Sequence, residues 1–388
     1  MALWHPILIR LLSISHSYVV ANNRRLAHEM AQQGRGRWEV TAIAPLRLAA
    51  DLRDVSLEPI AGEACTTRGF KMRLGRSPHL RHYERRLHAL LDDSWDAIHV
   101  WEEPYVAACA QIARAARSRA VVVPATFQNI AKAYPPPLAQ FERSVMRRAN
   151  GWIAFGDTIH DVLCARDGYA ARPSRVIPPG VDVDRFRPDV QARLAVRDSL
   201  GWNDETPVVG FLGRFVQSKG LTVLMNALSN VRQPWRALFV GGGPMERDLS
   251  AFAAANAGRV RVLTDVAHDD VPRHVNAMDV LCAPSQTTRA WREQFGRMLI
   301  EAMACGVPVI ASRSGEIPHV IGDAGVLVDE SDAAGWTAAI DRLLAEPNAR
   351  ADLSARGVGR VHERYAWPVV ARAHLAFFED LLSTSSSR

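Results

Sequence analysis

The chain reads as two doubly wound α/β domains, each built on a parallel sheet. Three observations predict this. Short apolar runs alternate with helical patterns twice over, a Pro/Gly-rich segment "VIPPGVDVDRFRP" separates the two series, and 388 residues suit two domains of ordinary size.

In the first half, strands are expected at "PILIRLLSI", "WEVTAIAP", "DAIHVW", "AVVVPAT" and "GWIAFG". In the second they are expected at "PVVGFLGRF", "RALFVGGG", "VRVLTDV", "DVLCAPS" and "VPVIAS". Continuous apolar runs of this length suit parallel strands covered on both faces. Residues 292–312, "REQFGRMLIEAMACGVPVIAS", carry the clearest local signal. Met298, Leu299, Ala302 and Met303 give a helical stripe from Arg297 to Cys305, Gly306 is a left-handed stop, and a buried strand follows. Phe295-Gly296 is then the turn into the helix, with Glu293 before it and Glu301 within it. The resulting domains are 1–178 and 179–365. The final apolar pattern, 366–388, is long enough to cross back onto the first domain, and its Ser-rich tail at 383–387 should fray.

Composition narrows the class. At 48% hydrophobic and 23% charged residues the chain is an ordinary globular one. Five cysteines without a C-x-x-C fit a reducing compartment better than a disulfide framework. The N-terminal "HPILIRLLSIS" carries Arg10 inside its apolar run and reads as a first strand, not a signal peptide. No run approaches the ~20 apolar residues of a membrane span, and a cytoplasmic protein is expected. Charge is uneven: residues 1–180 hold 24 Lys+Arg against 16 Asp+Glu, residues 181–388 hold 23 against 25. Basic pieces such as "RSPHLRHYERRLH" suit either a solvated helix face or an anionic partner such as a membrane surface. Nucleic acid is disfavoured, because no binding module accompanies the charge.

Several chemistries are weighed and set aside. The first βα turn, "SISHSYVVANNRR", has no glycine, and "GGGP" at 241–244 does not fit G-x-G-x-x-G, so a dinucleotide oxidoreductase is disfavoured. The "DVD" at 182–184 matches a D-x-D metal signature but falls in the Pro/Gly linker. His16, His79, His82 and His99 form no metal-ligand set. What remains is an anion site flanked by carboxylates. Arg214 and Lys219 stand five apart at a strand end, in a chain with only three lysines beside 44 arginines. A guanidinium, an ammonium and a helix N-terminus can together neutralise a pyrophosphate, and carboxylates accept hydrogen bonds from sugar hydroxyls.

These residues carry a resemblance. "VIPPGVDVDRFRP", "GFLGRFVQSKGL" and "EQFGRMLIEAMACGVPVIAS", in this order, resemble the donor-binding half of the family-4 retaining glycosyltransferases of the GT-B fold. The likeness is strong from about residue 175 to 330 and specific through the three motifs together. It implies two Rossmann-like domains facing a central cleft, an N-terminal one for the acceptor and a C-terminal one for the nucleotide-sugar. It implies transfer of a sugar to a glycan, lipid-linked or small-molecule hydroxyl. No cofactor is expected, and no divalent metal, because Arg214, Lys219 and a helix N-terminus can offset the diphosphate. By resemblance Arg214, Lys219 and Glu293 are catalytic, with Glu293 on the transferred sugar. Gly213, Phe295, Gly296, Arg297 and Glu301 bind the donor, Glu301 on the ribose. Thr264 and Val266 offer backbone to the base. His16, Glu102, Glu103, Gln128, Asn129 and Lys132 are the acceptor-side candidates. The sequence departs from the family at the glycine-less first turn and at Gln128, where many members have histidine. Another GT-B activity, such as an epimerase or a phosphorylase, and a silent nucleotide-sugar sensor remain the alternatives.

Overall fold

A computed structural model describes residues 8–49, 54–117 and 119–386. The chain divides into two compact units, Met1–Gly180 with Trp367–Arg388, and Val181–Ala366.

The main sheet of the first unit is built from β1 (Ile9–Ile14), β2 (Trp38–Pro45), β3 (Thr66–Phe70), β4 (Ala97–Val100), β5 (Val121–Thr126), β6 (Trp152–Ala154) and β7 (Ser174–Val176). Their order is β7-β6-β5-β4-β1-β2-β3, with every pairing parallel. The order therefore reverses between β1 and β4, which pair from Leu11↔Ala97 to Ile14↔Val100. The two edge strands, "TTRGF" and "SRV", are absent from the sequence-based expectation, because exposed edges need no apolar run.

A 310 turn (His16–Val19) leads from β1 into α1 (Ala21–Gln33). Without glycine, this turn is held by side chains. The Ser15 hydroxyl accepts from the Ser17 amide at 3.1 Å and donates to the Trp101 carbonyl at 3.0 Å. Buried Arg24 donates to the carbonyls of Tyr18 and Glu58 and pairs with Glu63 at 2.7 Å. Such a network replaces the conformational freedom a glycine would supply.

The C-terminal helix (Trp367–Ser386) belongs to this unit and puts Trp367, Val370, Ala371, Phe377 and Phe378 into its core. Gly151 makes room for it: a Cβ there would lie 2.9 Å from Leu381. The Ser-rich tail does not fray as expected. The hydroxyls of Ser383, Thr384 and Ser385 donate back to the carbonyls of Asp380 and Leu381, and the helix runs to Ser386; residue 387 is outside the described residues. His374 of this helix meets His99 of β4 edge-on, centroids 5.3 Å apart, deep in the core. Burial drives His99 well below the ordinary histidine range and His374 down to about 4.

In the second unit the strands are β8 (Val208–Arg214), β9 (Arg236–Gly242), β10 (Val260–Leu263), β11 (Val280–Ala283), β12 (Val309–Ser312) and β13 (Gly325–Val328). They run β10-β9-β8-β11-β12-β13, again all parallel. Here the order reverses between β8 and β11. In each unit the sheet thus has the doubly wound arrangement whose ligands bind beyond the strands' carboxyl ends, at the reversal. The helices α2 (Leu221–Asn230) and α3 (Arg297–Ala304) pack on this sheet. Phe211, Phe239, Leu224, Leu228, Ile310 and Trp336 fill its core.

Candidate functional site

Beyond the carboxyl ends of β8 and β11, close backbone packing brings distant residues together. Gly213 (φ +146) pairs with Gly241 (φ +152), and a Cβ at Gly241 would lie 1.8 Å from the Gly213 carbonyl. That approach presents Arg214, the exposed last residue of β8, beside the "GGGP" turn. The turn itself is fixed by Glu246, whose carboxylate accepts from the Gly243 amide at 2.9 Å. Next, Gln217–Lys219 forms a 310 turn that ends at Gly220 in the left-handed region (φ +70). A Cβ at Gly220 would lie 1.8 Å from the Pro284 carbonyl, so only glycine permits this contact. The Gln286 amide donates to the Ser218 carbonyl at 2.8 Å. The turn after β8 is thereby tied to the loop after β11.

The consequence is an ion pair across 74 residues: Lys219 Nζ lies 2.5 Å from Glu293 Oε2. Both side chains are largely buried, at 13% and 8% exposure. Ser285, fully buried, donates to the same carboxylate oxygen at 2.8 Å, and the Lys219 ammonium lies 5.1 Å from the Trp291 ring. The backbone of Glu293 is clasped as well. The Glu316 amide donates to its carbonyl at 3.1 Å, and a Cβ on Gly315 (φ +53) would lie 1.9 Å from that oxygen. A buried ion pair of this kind is costly to desolvate and strongly destabilised when one partner is removed.

Gly296 (φ +81) opens α3 as its left-handed N-cap. Glu301, one turn in, is 8% exposed, and its carboxylate accepts no hydrogen bond among the described residues. Burial raises its pKa, against the nearby charges of Arg297 and Arg185. A buried, unpaired carboxylate at the reversal of a doubly wound sheet is a candidate ligand group. The Phe295 ring is buried edge-on against Tyr365, centroids 5.8 Å apart. Thr264 and Val266 follow β10, with Thr264 exposed and its carbonyl 3.9 Å from the Cβ position of Gly242. In "DVD", Asp182 Oδ1 accepts from the amides of Asp184 and Arg185, so this motif caps a turn. Sequence reading missed Ser285, Trp291 and Arg185. The first two lie in the loop before Glu293, where no periodicity marks them.

In the first unit, His16 and Glu102 meet beyond β1 and β4, with Nδ1 to Oε2 at 2.5 Å. Glu103 accepts from Thr126 Oγ1 at 2.5 Å and from the Phe127 amide at 2.8 Å, and burial raises its pKa. The Gln128 amide nitrogen donates to the carbonyl of Ile130, so this group holds its own loop; Asn129 is buried beside it and Lys132 is exposed.

Two doubly wound units, one with a cation–carboxylate pair at its reversal, define an α/β protein of the GT-B fold. Solved structures share that fold. A sucrose-phosphate synthase from Thermosynechococcus elongatus superposes with a TM-score of 0.72 at 21% identity, covering 97% of this chain and 100% of that one. Anabaena HepE in complex with UDP gives 0.72 at 19%, covering 96% and 100%. The family model "Glycosyl transferases group 1" matches residues 206–346, and "Glycosyltransferase Family 4" matches residues 23–185. A D-inositol 3-phosphate glycosyltransferase of Salinispora arenicola is 30% identical over 347 residues, 82% of this chain and 74% of that protein. A GDP-mannose-dependent alpha-(1-6)-phosphatidylinositol monomannoside mannosyltransferase of Mycolicibacterium smegmatis is 37% identical over 53% of this chain and 55% of its own length. Against that and several similar relatives, the chain spans about half their length. The chain belongs to the family-4, group 1 glycosyltransferases.

Proposed function

We propose that the protein is a retaining glycosyltransferase that moves a sugar from a nucleotide-sugar to an acceptor hydroxyl. The observation that carries this reading is the Lys219–Glu293 pair at the reversal of the second sheet, with Arg214 at the adjacent strand end and Glu301 unpaired on α3. When a donor enters, its diphosphate replaces Glu293 as the partner of Lys219. Glu293, still held by Ser285, then meets the hydroxyls of the transferred sugar, and Glu301 takes the ribose. The bond from C1 to the β-phosphate breaks with its electron pair passing to the phosphate, while the acceptor oxygen bonds to C1 from the same face. The hydroxyl proton passes to the departing phosphate. Negative charge grows where Arg214, Lys219 and the α3 N-terminus meet it, the main source of catalysis in this reading, and no divalent metal is required. Because curated relatives include GDP-mannose-dependent enzymes and a fold neighbour was solved with UDP-glucose, GDP-mannose and UDP-glucose are the first donors to test. Release of GDP or UDP by the protein supports the reading; no release from a wider donor panel contradicts it.

A peripheral contact with an anionic membrane face, made from the cytoplasmic side, completes this reading. Among the described residues no helix is long and apolar enough to cross a membrane. The first unit instead offers the segment 71–86, where Leu74 is 62% exposed at φ +52 and Leu80 is 38% exposed. Lys71, Arg73, Arg76, Arg81, Arg85 and Arg86 surround them, against Glu84 as the segment's acid. Exposed leucines set among cations suit an anionic lipid surface. Vesicles of phosphatidylglycerol should sediment the protein and those of phosphatidylcholine should not. Equal behaviour of Leu74→Ser/Leu80→Ser and wild type would contradict this contact.

A further inference from the structure

The loop from Ser285 to Glu293 carries a tryptophan that neither periodicity nor the family resemblance marks. Its residues 287–290 are exposed, yet the loop is tied down at its base. The Thr287 amide and hydroxyl donate to the two carboxylate oxygens of Glu330, which follows β13, at 2.5 Å each. The Gln286 side-chain amide donates to the Pro284 and Glu330 carbonyls at 2.8 and 3.0 Å. Beyond this base the chain closes a turn. The Thr288 amide donates to the Trp291 carbonyl at 2.7 Å, and the Trp291 amide to the Thr288 hydroxyl at 3.0 Å. Trp291 is thereby brought back inward, half-buried, with its ring centroid 5.1 Å from Lys219 Nζ. It is not part of the apolar core of this sheet, so core packing does not explain its place.

The chemistry of the ring decides what this contact does. In the transfer reading Lys219 exchanges Glu293 for the donor's diphosphate, while Ser285 keeps the carboxylate. An ammonium on a flexible four-carbon stem loses its direction once its anion leaves. A carboxylate in the place of Trp291 would hold Lys219 against the phosphate, and an aliphatic side chain would not attract it. The face of an indole attracts a cation within about 6 Å of its centroid and carries no net charge. Such a face holds the ammonium before and after the exchange without competing for it.

We infer that Trp291 is a positioning residue for transfer, whose indole face keeps the Lys219 ammonium in place while Glu293 gives way to the diphosphate. The inference rests on the transfer reading for the identity of the incoming anion, but not for the contact of ring and ammonium.

The contact is tested first, in the full chain without substrate. Lys71, Lys132 and Lys219 are its lysines, so carbon-13 lysine labelling gives three sets of side-chain signals, and Lys219→Arg assigns one. We expect the Lys219 Cε protons to lie upfield of the other two through the ring current, and to return toward them in Trp291→Leu. Unmoved Lys219 signals in that variant overturn the inference. Titration of GDP and UDP tests the role, with mono- to tetrafluorinated tryptophans placed at 291 by nonsense suppression. Each fluorine drains the quadrupole and nearly preserves the shape. The logarithm of Kd should climb with fluorine number, and Trp291→Leu should weaken binding about 3- to 10-fold. An affinity that is flat across the series overturns the assignment, because a ring that only packs does not respond to fluorine. Should Trp291→Leu fail to fold, the fluorinated series decides. A wild-type protein that releases no nucleoside diphosphate from any donor breaks the transfer reading instead, and the lysine spectra alone then judge the Trp291 contact.

Discussion

The two units solve the same architectural problem with different chemistry. In each, the strand order reverses between the first strand and the fourth, and a pair of side chains far apart in sequence meets there at 2.5 Å. In the second unit the pair is an ammonium and a carboxylate, fixed by glycines that allow backbone to touch backbone. In the first it is an imidazole and a carboxylate, on a turn held by serine hydroxyls and a buried arginine. A cation that can exchange its partner suits a charged, leaving diphosphate. One fold thus places two different residue pairs at the same topological point of its two units.

That contrast breaks most readily at the donor pair. Lys219→Ala and Arg214→Ala should each lower turnover by ~100-fold or more, since a preorganised group at developing charge contributes about 3–4 kcal/mol. Rates within a few-fold of wild type for both would remove the donor site as drawn.

The glycine scaffold gives the next effect. Gly315→Ala forces a Cβ to within 1.9 Å of the Glu293 carbonyl at φ +53, and Gly220→Ala meets Pro284 at 1.8 Å at φ +70. Each should cost about 1–3 kcal/mol of second-unit stability and displace one member of the pair. Thermal melts that match wild type would mean the turns are not constrained.

The two cores should also part company in acid. His99 and His374 are buried neutral in the first unit, His374 at about 4. A histidine whose folded pKa is depressed stabilises fully above its unfolded value near 6.5, and that stability drains as pH falls toward the folded value. The slope is up to about 1.4 kcal/mol per pH unit for each ring. The first unit should therefore lose stability from about pH 6.5 toward 4, and His374→Phe should flatten the loss. Identical acid curves for the variant and wild type would sink this account.

How much of this was legible beforehand follows from where the information lies. The alternation that makes two parallel sheets, the helix at Arg297–Ala304, its left-handed Gly306 and the strand after it are written in local periodicity, and they stand as read. Arg214, Lys219, Glu293 and Glu301 are legible through the family resemblance of their motifs. Their bonding is not local. That Lys219 holds Glu293, that Ser285 holds it too, and that Glu102 holds His16 depends on which strands become neighbours. The polar edge strands and the helical serine tail escaped for a related reason: side-chain and edge hydrogen bonds leave no apolar pattern.

The smallest expected effect is that of a chelator. Arg214, Lys219 and the α3 N-terminus, roughly half a charge, offset the diphosphate in this reading. EDTA should leave the rate within about a factor of two. Abolition by EDTA, restored by magnesium or manganese, would place a metal at the leaving group.

The central claim, that the diphosphate and ribose lie between Lys219 and Glu301, meets its most direct test in calorimetric titration of GDP and UDP into wild type, Glu301→Ala and Glu293→Ala. The account predicts that one nucleotide binds wild type, that Glu301→Ala weakens it clearly, and that Glu293→Ala leaves it nearly unchanged while transfer is lost. Weakened binding in Glu293→Ala with unaltered binding in Glu301→Ala would contradict it.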